Sequence, residues 1–416
     1  MIDQSQLARP QRAILWPQTL LAFLGSFEVM FVLFLFAGRY KALIGSSIDL
    51  TAVTFVLSVA GGLLLLWKKH DQLPVQSLYW LIGWGAFVVY AVASLMWSPS
   101  VVYSREKAML LLTLSSWCAI ASALIIAPDP TRIRRFFRAA VLLTVTIAVV
   151  RWQDFVAAVP AAYAGITDYL GVGIVVALGA TLLFSYALFF ARKWPLKLAA
   201  FLFTAVLLFL LMQIGARGPL VSFLAAITLP VLINIVRLFT TSHVQRYMVF
   251  IGVAVMVGIG YLIYAASLDQ LPRTLWRMLV LFSGQGDFGD SADARLDHYS
   301  NALALFSQSP WIGNGLGSWP VINGYNDTRS YPHNIVLELM VELGLIGTVL
   351  LAIVLVWSLC RVPWRRLAQA PMAMTTVMLL LFFLAGAFVS GDLNDNRLIF
   401  AFAGMLLFLS KKEAEQ

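Results

Sequence analysis

The chain has 416 residues, of which 61% are hydrophobic and only 12% charged, about half the charged share of a soluble domain. A water-soluble fold is excluded. The formal net charge of +9 does not point to nucleic acid, because the basic residues are scattered in twos and threes between apolar runs and form no stripe. Cys118 and Cys360 fall in or beside apolar segments, where thiols behave as small hydrophobes and build no extracellular disulfide framework.

A bilayer-spanning helix takes roughly 20 apolar residues. Apolar runs bounded by charge or by Pro and Gly lie near 14–37, 48–67, 77–97, 108–127, 137–152, 169–191, 195–214, 218–236, 247–266, 334–359, 371–390 and 397–410. The fold class read from them is an all-α integral membrane protein of about twelve transmembrane helices. The first run follows Arg9 and Arg12, is too long for a signal-peptide core and is followed by no small-residue cleavage site, so an uncleaved span is expected. An even number of spans puts both termini on one side. The tails and the alternate loops that carry Lys68-Lys69, Arg132, Arg134, Arg135, Arg138, Arg192-Lys193, Lys197, Arg237, Arg246, Arg361, Arg365 and Arg366 hold most of the 29 Lys and Arg, which makes both termini cytoplasmic. The remaining cations, Arg39, Lys41, Arg105, Lys107, Arg151, Arg217, Arg273, Arg277, Arg295, Arg329 and Arg397, then fall outside. A bound polyanion accounts for so many; snorkelling to lipid headgroups is the competing account for each.

The expected organisation is spans one to nine over 1–266, one large external loop domain with two short helices over 267–333, and spans ten to twelve with a short cytoplasmic tail over 334–416. Within the loop, 271–282 reads as a helix lying on the membrane surface, with Arg273 and Arg277 four residues apart on one face. After a Gly/Asp-rich hinge, Leu296, Tyr299, Leu303 and Phe306 recur at helical spacing, from a start near Arg295 with Ser291 as cap to a stop at Pro310. Gly313, Gly315 and Gly317 form a tight turn, and Pro332-His333-Asn334 leads into span ten. No repeat and no pair of matching halves is found, which weighs against an inverted-repeat transporter.

Of the four histidines, only His333 stands at the start of a membrane helix. An imidazole there, beside Asn334 and followed by Glu338 and Glu342, can be held in one tautomer and accept a proton from a hydroxyl; helix capping or an interfacial position is the alternative on spacing alone. Glu338 and Glu342 lie one turn apart where the helix dipole favours negative charge, and lipid exposure would be costly, so they are expected to face the bundle and pair with Arg. Glu28 is expected in a structural ion pair. Arg217, in the turn Gly215-Ala-Arg-Gly-Pro219, sits at lipid-phosphate depth, where its planar fork suits a diphosphate; Arg295 can do the same from above, headgroup contact being the alternative for either. Asp49 alone in the first external loop does not supply the paired acids of a metal-dependent transferase. Asp392 and Asp395 are expected in a hydrogen-bonded, capped loop. The cytoplasmic side shows no phosphate-cradling lysine motif, against an ATP-driven pump.

Together these pieces resemble the O-antigen ligase and polymerase superfamily of bacterial membrane glycosyltransferases. Tyr331-Pro-His-Asn-Ile-Val-Leu-Glu-Leu-Met-Val-Glu-Leu-Gly-Leu-Ile-Gly347 is similar to the family's His-Asn pair followed by a Glu-x-Gly-x-x-Gly helix. Arg295 through Gly317 resembles the segment upstream, and Gly215-Ala-Arg-Gly218 resembles the family's Ser-Arg-Gly turn with Ala216 in place of Ser. The resemblance implies a GT-C-like fold and inverting, metal-independent transfer of a glycan, without a cofactor. The donor would be a polyprenyl (undecaprenyl) diphosphate-linked glycan and the acceptor a sugar hydroxyl of lipid A core or of a growing glycan, at the periplasmic face of the bacterial inner membrane. It makes His333 the base or acceptor-orienting group, gives the diphosphate to Arg217 and Arg295, and leaves Asn334, Glu338, Arg273, Arg277 and Arg329 as substrate-binding residues, with no metal ligand. One dominant loop favours ligase over polymerase. Membrane lipids are the other expected partners, and nucleic acid is not one. A transporter of an anionic or lipid-linked substrate would keep its polar groups at mid-membrane on interrupted helices, and a protease built on Ser318 with His333 or His298 lacks a nucleophile elbow.

Overall fold

The computed structural model describes residues 16–44, 48–68, 73–150, 169–238, 272, 274–276, 278 and 290–408; the expected span at 247–266, and Arg273 and Arg277, lie outside them. Among the described residues every regular element is a helix: α1 (Trp16–Leu24), α2 (Phe27–Ile44), α3 (Leu50–Lys68), α4 (Val75–Ala93), α5 (Tyr103–Leu110), α6 (Ser116–Ala121), α7 (Pro130–Val150), α8 (Tyr169–Ser185), α9 (Trp194–Ile214), α10 (Arg217–Leu238), α11 (Asp290–Gln308), α12 (Trp319–Ile322), α13 (Ile335–Cys360), α14 (Pro371–Ala387) and α15 (Arg397–Met405). Among the described residues six continuous stretches, at Leu50–Lys68, Val75–Met96, Tyr103–Ile126, Leu170–Phe190, Trp194–Ile214 and Ile335–Cys360, are long and apolar enough to cross a membrane; three further apolar helices are shorter. This is fewer than the twelve expected. Charge is part of the reason, since α2 carries Glu28 and Arg39, and α7 carries Arg132, Arg134, Arg135 and Arg138.

The first span also differs from expectation. The chain turns at Gly25-Ser26, so α1 is separate and the first long helix starts at Phe27 and runs beyond residue 37. Its start is fixed by charge: Arg132 Nη1, in the first turn of α7, lies 2.8 Å from Glu28 Oε1. The expected ion pair of Glu28 is present, and it sets the starts of α2 and α7 side by side.

The core is built around α15, whose residues from Leu398 to Met405 are all buried. A helix that is apolar on every side is stable only when surrounded, and α15 packs against α6, α13 and α14. Phe400 meets Trp84 of α4 at 4.5 Å between centroids, and Phe402 stacks on Phe383 at 5.5 Å. Several polar groups between the helices pair with one another, as is favourable where water is absent. Trp80 Nε1 donates to Ser358 Oγ (2.9 Å) and to the Val354 carbonyl (3.0 Å), and Trp117 Nε1 donates to Ser58 Oγ (2.9 Å). The stretch Tyr103–Ile126 contains two π-helical turns, Leu111–Ser115 and Ser122–Ile126, of the kind that re-aim side chains within a helix.

Candidate active site

The site end of the bundle is organised by a break in α13. Gly344 has φ 64° and ψ −166°, so the helix is interrupted there. The groups freed by the break are taken up by the 310–317 loop. Asn314 N donates to Val341 O (2.9 Å) and Gly315 N to Glu342 O (2.8 Å), while Leu345 N donates to Pro310 O (2.8 Å) and Ile346 N to Trp311 O (3.1 Å). Backbone groups without water must find such partners. The Gly-x-Gly-x-Gly turn follows from the same contact. A Cβ at Gly313 would strike the Glu342 backbone, one at Gly315 the Ser98 backbone and one at Gly317 the Ser104 backbone, and all three glycines have positive φ.

Above the break, α13 carries Glu338 and Glu342, both buried. They do face the bundle, but their partner is Lys107 of α5 and not an arginine. Lys107 Nζ binds Glu338 Oε1 and lies 2.6 Å from Glu342 Oε2. The sequence placed Lys107 among the external cations that a polyanion or headgroups would bind; it is wholly buried, and so cannot meet either. Buried charges persist only when paired and hydrogen-bonded. Accordingly Gly317 N donates to Glu342 Oε2 (2.8 Å), Leu393 N to Glu338 Oε1 (3.2 Å), and Asn394 Nδ2 to the Lys107 carbonyl (2.9 Å).

The 391–396 loop is hydrogen-bonded as expected: Asp392 Oδ1 accepts from Asn394 N (3.0 Å) and Asp395 N (2.8 Å). Tyr103 Oη donates to Asp392 Oδ2 (2.9 Å). Arg329 pairs with Asp395 and lies 3.4 Å from Asp392. Burial raises the Asp392 carboxyl, but Lys107, Arg329 and its hydrogen bonds outweigh that and hold it below the ordinary range. A residue that sequence reasoning missed, Asp327, accepts from Val101 N (2.8 Å), Val102 N (2.8 Å), Tyr103 N (3.2 Å) and Ser100 Oγ (2.6 Å), capping α5 from another part of the chain.

His333 lies between Pro332 and Asn334 with φ 58°, the left-handed conformation that costs a non-glycine residue about 1–2 kcal/mol. Asn334 closes the start of α13, its side-chain oxygen accepting from Val336 N (3.0 Å) and Leu337 N (3.2 Å). Helix capping at this point therefore falls to Asn334, and the His333 ring is turned away to face α11. That helix begins at Asp290, ahead of the expected start, so Ser291 lies inside it. Arg295 and His298 stand one turn apart on it. Burial, then the charge of Arg295 and the neighbouring His298, depress the His333 imidazole to about 4.

Arg217 opens α10 two residues after Gly215, which closes α9 in the left-handed conformation (φ 81°). Neighbours of both diphosphate candidates meet the segment after α14: a Cβ on Gly218 would lie 3.5 Å from Val389, and Tyr299, one turn beyond Arg295, donates to the Phe388 carbonyl (3.2 Å). His333, Asn334, Glu338, Arg295 and Arg329 thus share one end of the bundle, and Arg217 heads a helix that meets the same segment. Lys107 was legible only through charge balance, as a cation in an apolar run that needs anions from another span.

Residues 202–352 match the family model for O-antigen ligase. No curated protein matches the chain. The matched stretch runs from α9 into α13 and contains Arg217, Arg295, His333, Glu342 and Gly344, whereas Lys107 and the 391–396 loop lie outside it. This segment of the chain is thus similar to O-antigen ligase, and the match supports the O-antigen ligase and polymerase superfamily.

Proposed function

We propose that the protein is an inverting glycosyltransferase that moves a glycan from a polyprenyl diphosphate carrier to a sugar hydroxyl at the periplasmic face of the inner membrane, as an O-antigen ligase acting on lipid A core. What supports this reading is the place of His333, one residue before the cap of α13 with its ring parallel to that of His298 on α11, where burial and the nearby charge of Arg295 favour the neutral imidazole. A base must be unprotonated to act. In the proposed reaction the acceptor hydroxyl gives its proton to His333 as its oxygen bonds to the anomeric carbon. The bond from that carbon to the diphosphate breaks, and Arg217 and Arg295 hold the charge that develops on the leaving group. Attack opposite the leaving group inverts the anomeric centre. Asn334 and Glu338 serve by holding His333's segment, and Arg329, half-exposed while bound to Asp392 and Asp395, contributes a cation at the rim.

The test is a reaction of purified protein with a polyprenyl-diphosphate oligosaccharide and a lipid A core acceptor in the presence of EDTA, comparing wild type with His333→Ala and Arg217→Ala. Glycan-bearing lipid A of inverted configuration, absent with either variant, is the expected result. Lengthening of the carrier-linked chain would assign a polymerase with the same site. Inhibition by EDTA would return the diphosphate charge to a divalent cation, and binding of donor without any product would sink the enzyme reading.

A further inference from the structure

The reaction proposed above gives no role to His298, yet its ring lies parallel to that of His333. The two imidazole planes are parallel within 3°, with centroids 5.9 Å apart. The Tyr331 ring also meets His333, at 64° and 4.6 Å. His333 Nδ1 is buried and has no hydrogen-bond partner among the described residues, so neighbouring rings, and not a hydrogen bond at that atom, define its plane. His298 is itself fixed. Trp319 packs on it at 5.8 Å and Tyr325 at 6.2 Å, with Tyr325 Oη 3.4 Å from His298 Nε2. Trp319 is wholly buried and joins Ala302 and Val341 in a small apolar cluster that ties α11 and α12 to α13. A side chain backed by that cluster has little freedom to move.

We propose that His298 is a positioning residue for His333: held by Trp319 and Tyr325, its ring backs the His333 imidazole and keeps it in the plane in which it takes the acceptor's proton. This rests on the reading of His333 as base. The charged and titratable groups around the pair are Arg295 and Asp297 from α11, and Tyr325 and Tyr331 from the chain before α13. His298 is itself held below the ordinary imidazole range by burial and Arg295, against Asp297.

Two measurements on the full-length protein in nanodiscs test the proposal. The first needs no substrate: the width of the His333 ring signal in histidine-labelled NMR, assigned with His333→Gln. The second is turnover of the donor. His298→Ala is expected to broaden the signal and lower kcat by about tenfold or more, with KM for the donor unchanged, since a small misplacement of a reacting group is costly. His298→Phe, which restores a flat ring, is expected to sharpen the signal and to recover kcat to within about threefold of wild type. An unchanged signal and kcat in His298→Ala overturns the proposal. So does a folded His298→Phe as impaired as His298→Ala, and so does a fall in kcat with the signal unmoved, which would make His298 a group that touches substrate. Should wild type turn over no donor, the base reading of His333 fails, while the NMR measurement still decides whether His298 orders that ring.

Discussion

Lys107 holds two carboxylates at once, its ammonium hydrogen-bonded to Glu338 and to Glu342, one turn apart on α13. The triad ties α5 to the first turns of α13, which follow His333 in the chain. Its worth lies less in Coulomb attraction, offset by desolvation, than in the penalty for breaking it.

Replacing Lys107 by Met leaves two buried carboxylates without their cation. A loss of about 3–5 kcal/mol is expected for removing one side of such an arrangement. Neutralising all three, with Lys107→Met, Glu338→Gln and Glu342→Gln together, should recover much of that loss. Thermal unfolding in detergent decides: a single variant as stable as wild type would contradict the pairing.

Gly344→Ala is expected to be among the most damaging single substitutions. The residue has φ 64°, and an added Cβ would collide with the Trp311 carbonyl and with Gly313 N. Gly38→Ala is the control, since nothing lies within 4 Å of a Cβ there and Ala is favoured over Gly in a helix by about 0.5–1 kcal/mol. Comparing the two melting temperatures separates the special position from the ordinary one.

The pH dependence of turnover follows from His333. Its imidazole is depressed from 6.5 to about 4, so the base remains neutral through mildly acidic pH. The acid limb of kcat/KM is expected near pH 4 and not near 6.5. Stability moves in the matching direction. Between those two values the unfolded chain binds the proton and the folded one does not, so this group lowers stability as pH falls through the window. A kcat/KM limb centred at 6.5 would show that burial and the charge of Arg295 do not depress this imidazole.

Asp327→Ala removes an acceptor shared by three backbone N–H groups and the Ser100 hydroxyl. Loss of a helix cap of this kind costs about 0.5–2 kcal/mol. Asp327→Asn, which keeps an acceptor, should cost less. Those hydrogen bonds outweigh burial and depress the carboxyl to about 2. The stabilisation is therefore present above the ordinary carboxylate value and is lost as pH falls through about 2. Unfolding curves of the two variants at neutral pH give the comparison.

The helices were legible in the sequence wherever apolar runs were long, because twenty residues without charge have few other destinations. Boundaries were less so: nothing in the run 14–37 announced that Gly25-Ser26 would break it and that Arg132 would fix Glu28 at a helix start. The residues of the matched family segment, His333, Arg295 and Arg217, stood out through local motifs. Lys107, Asp327 and His298 did not. Each acts on a partner far along the chain, Lys107 on residues more than two hundred positions away, and no local period or spacing encodes such a pairing. Glu338 and Glu342 carried half the signal, as anions that needed a cation, but the choice between Arg and Lys was made by packing.

The interruption of α13 has a consequence for the timescale on which the loop opens. Asn314 and Gly315 belong by sequence to a connecting segment, yet their amides close the hydrogen-bond pattern of the helix itself, and Leu345 and Ile346 depend in turn on loop carbonyls. Neither partner can exchange its amide hydrogens with solvent unless the other lets go. In hydrogen-exchange experiments the loop amides should therefore share the slow rates of α13, and the whole assembly from Pro310 to Ile346 should open as one cooperative unit.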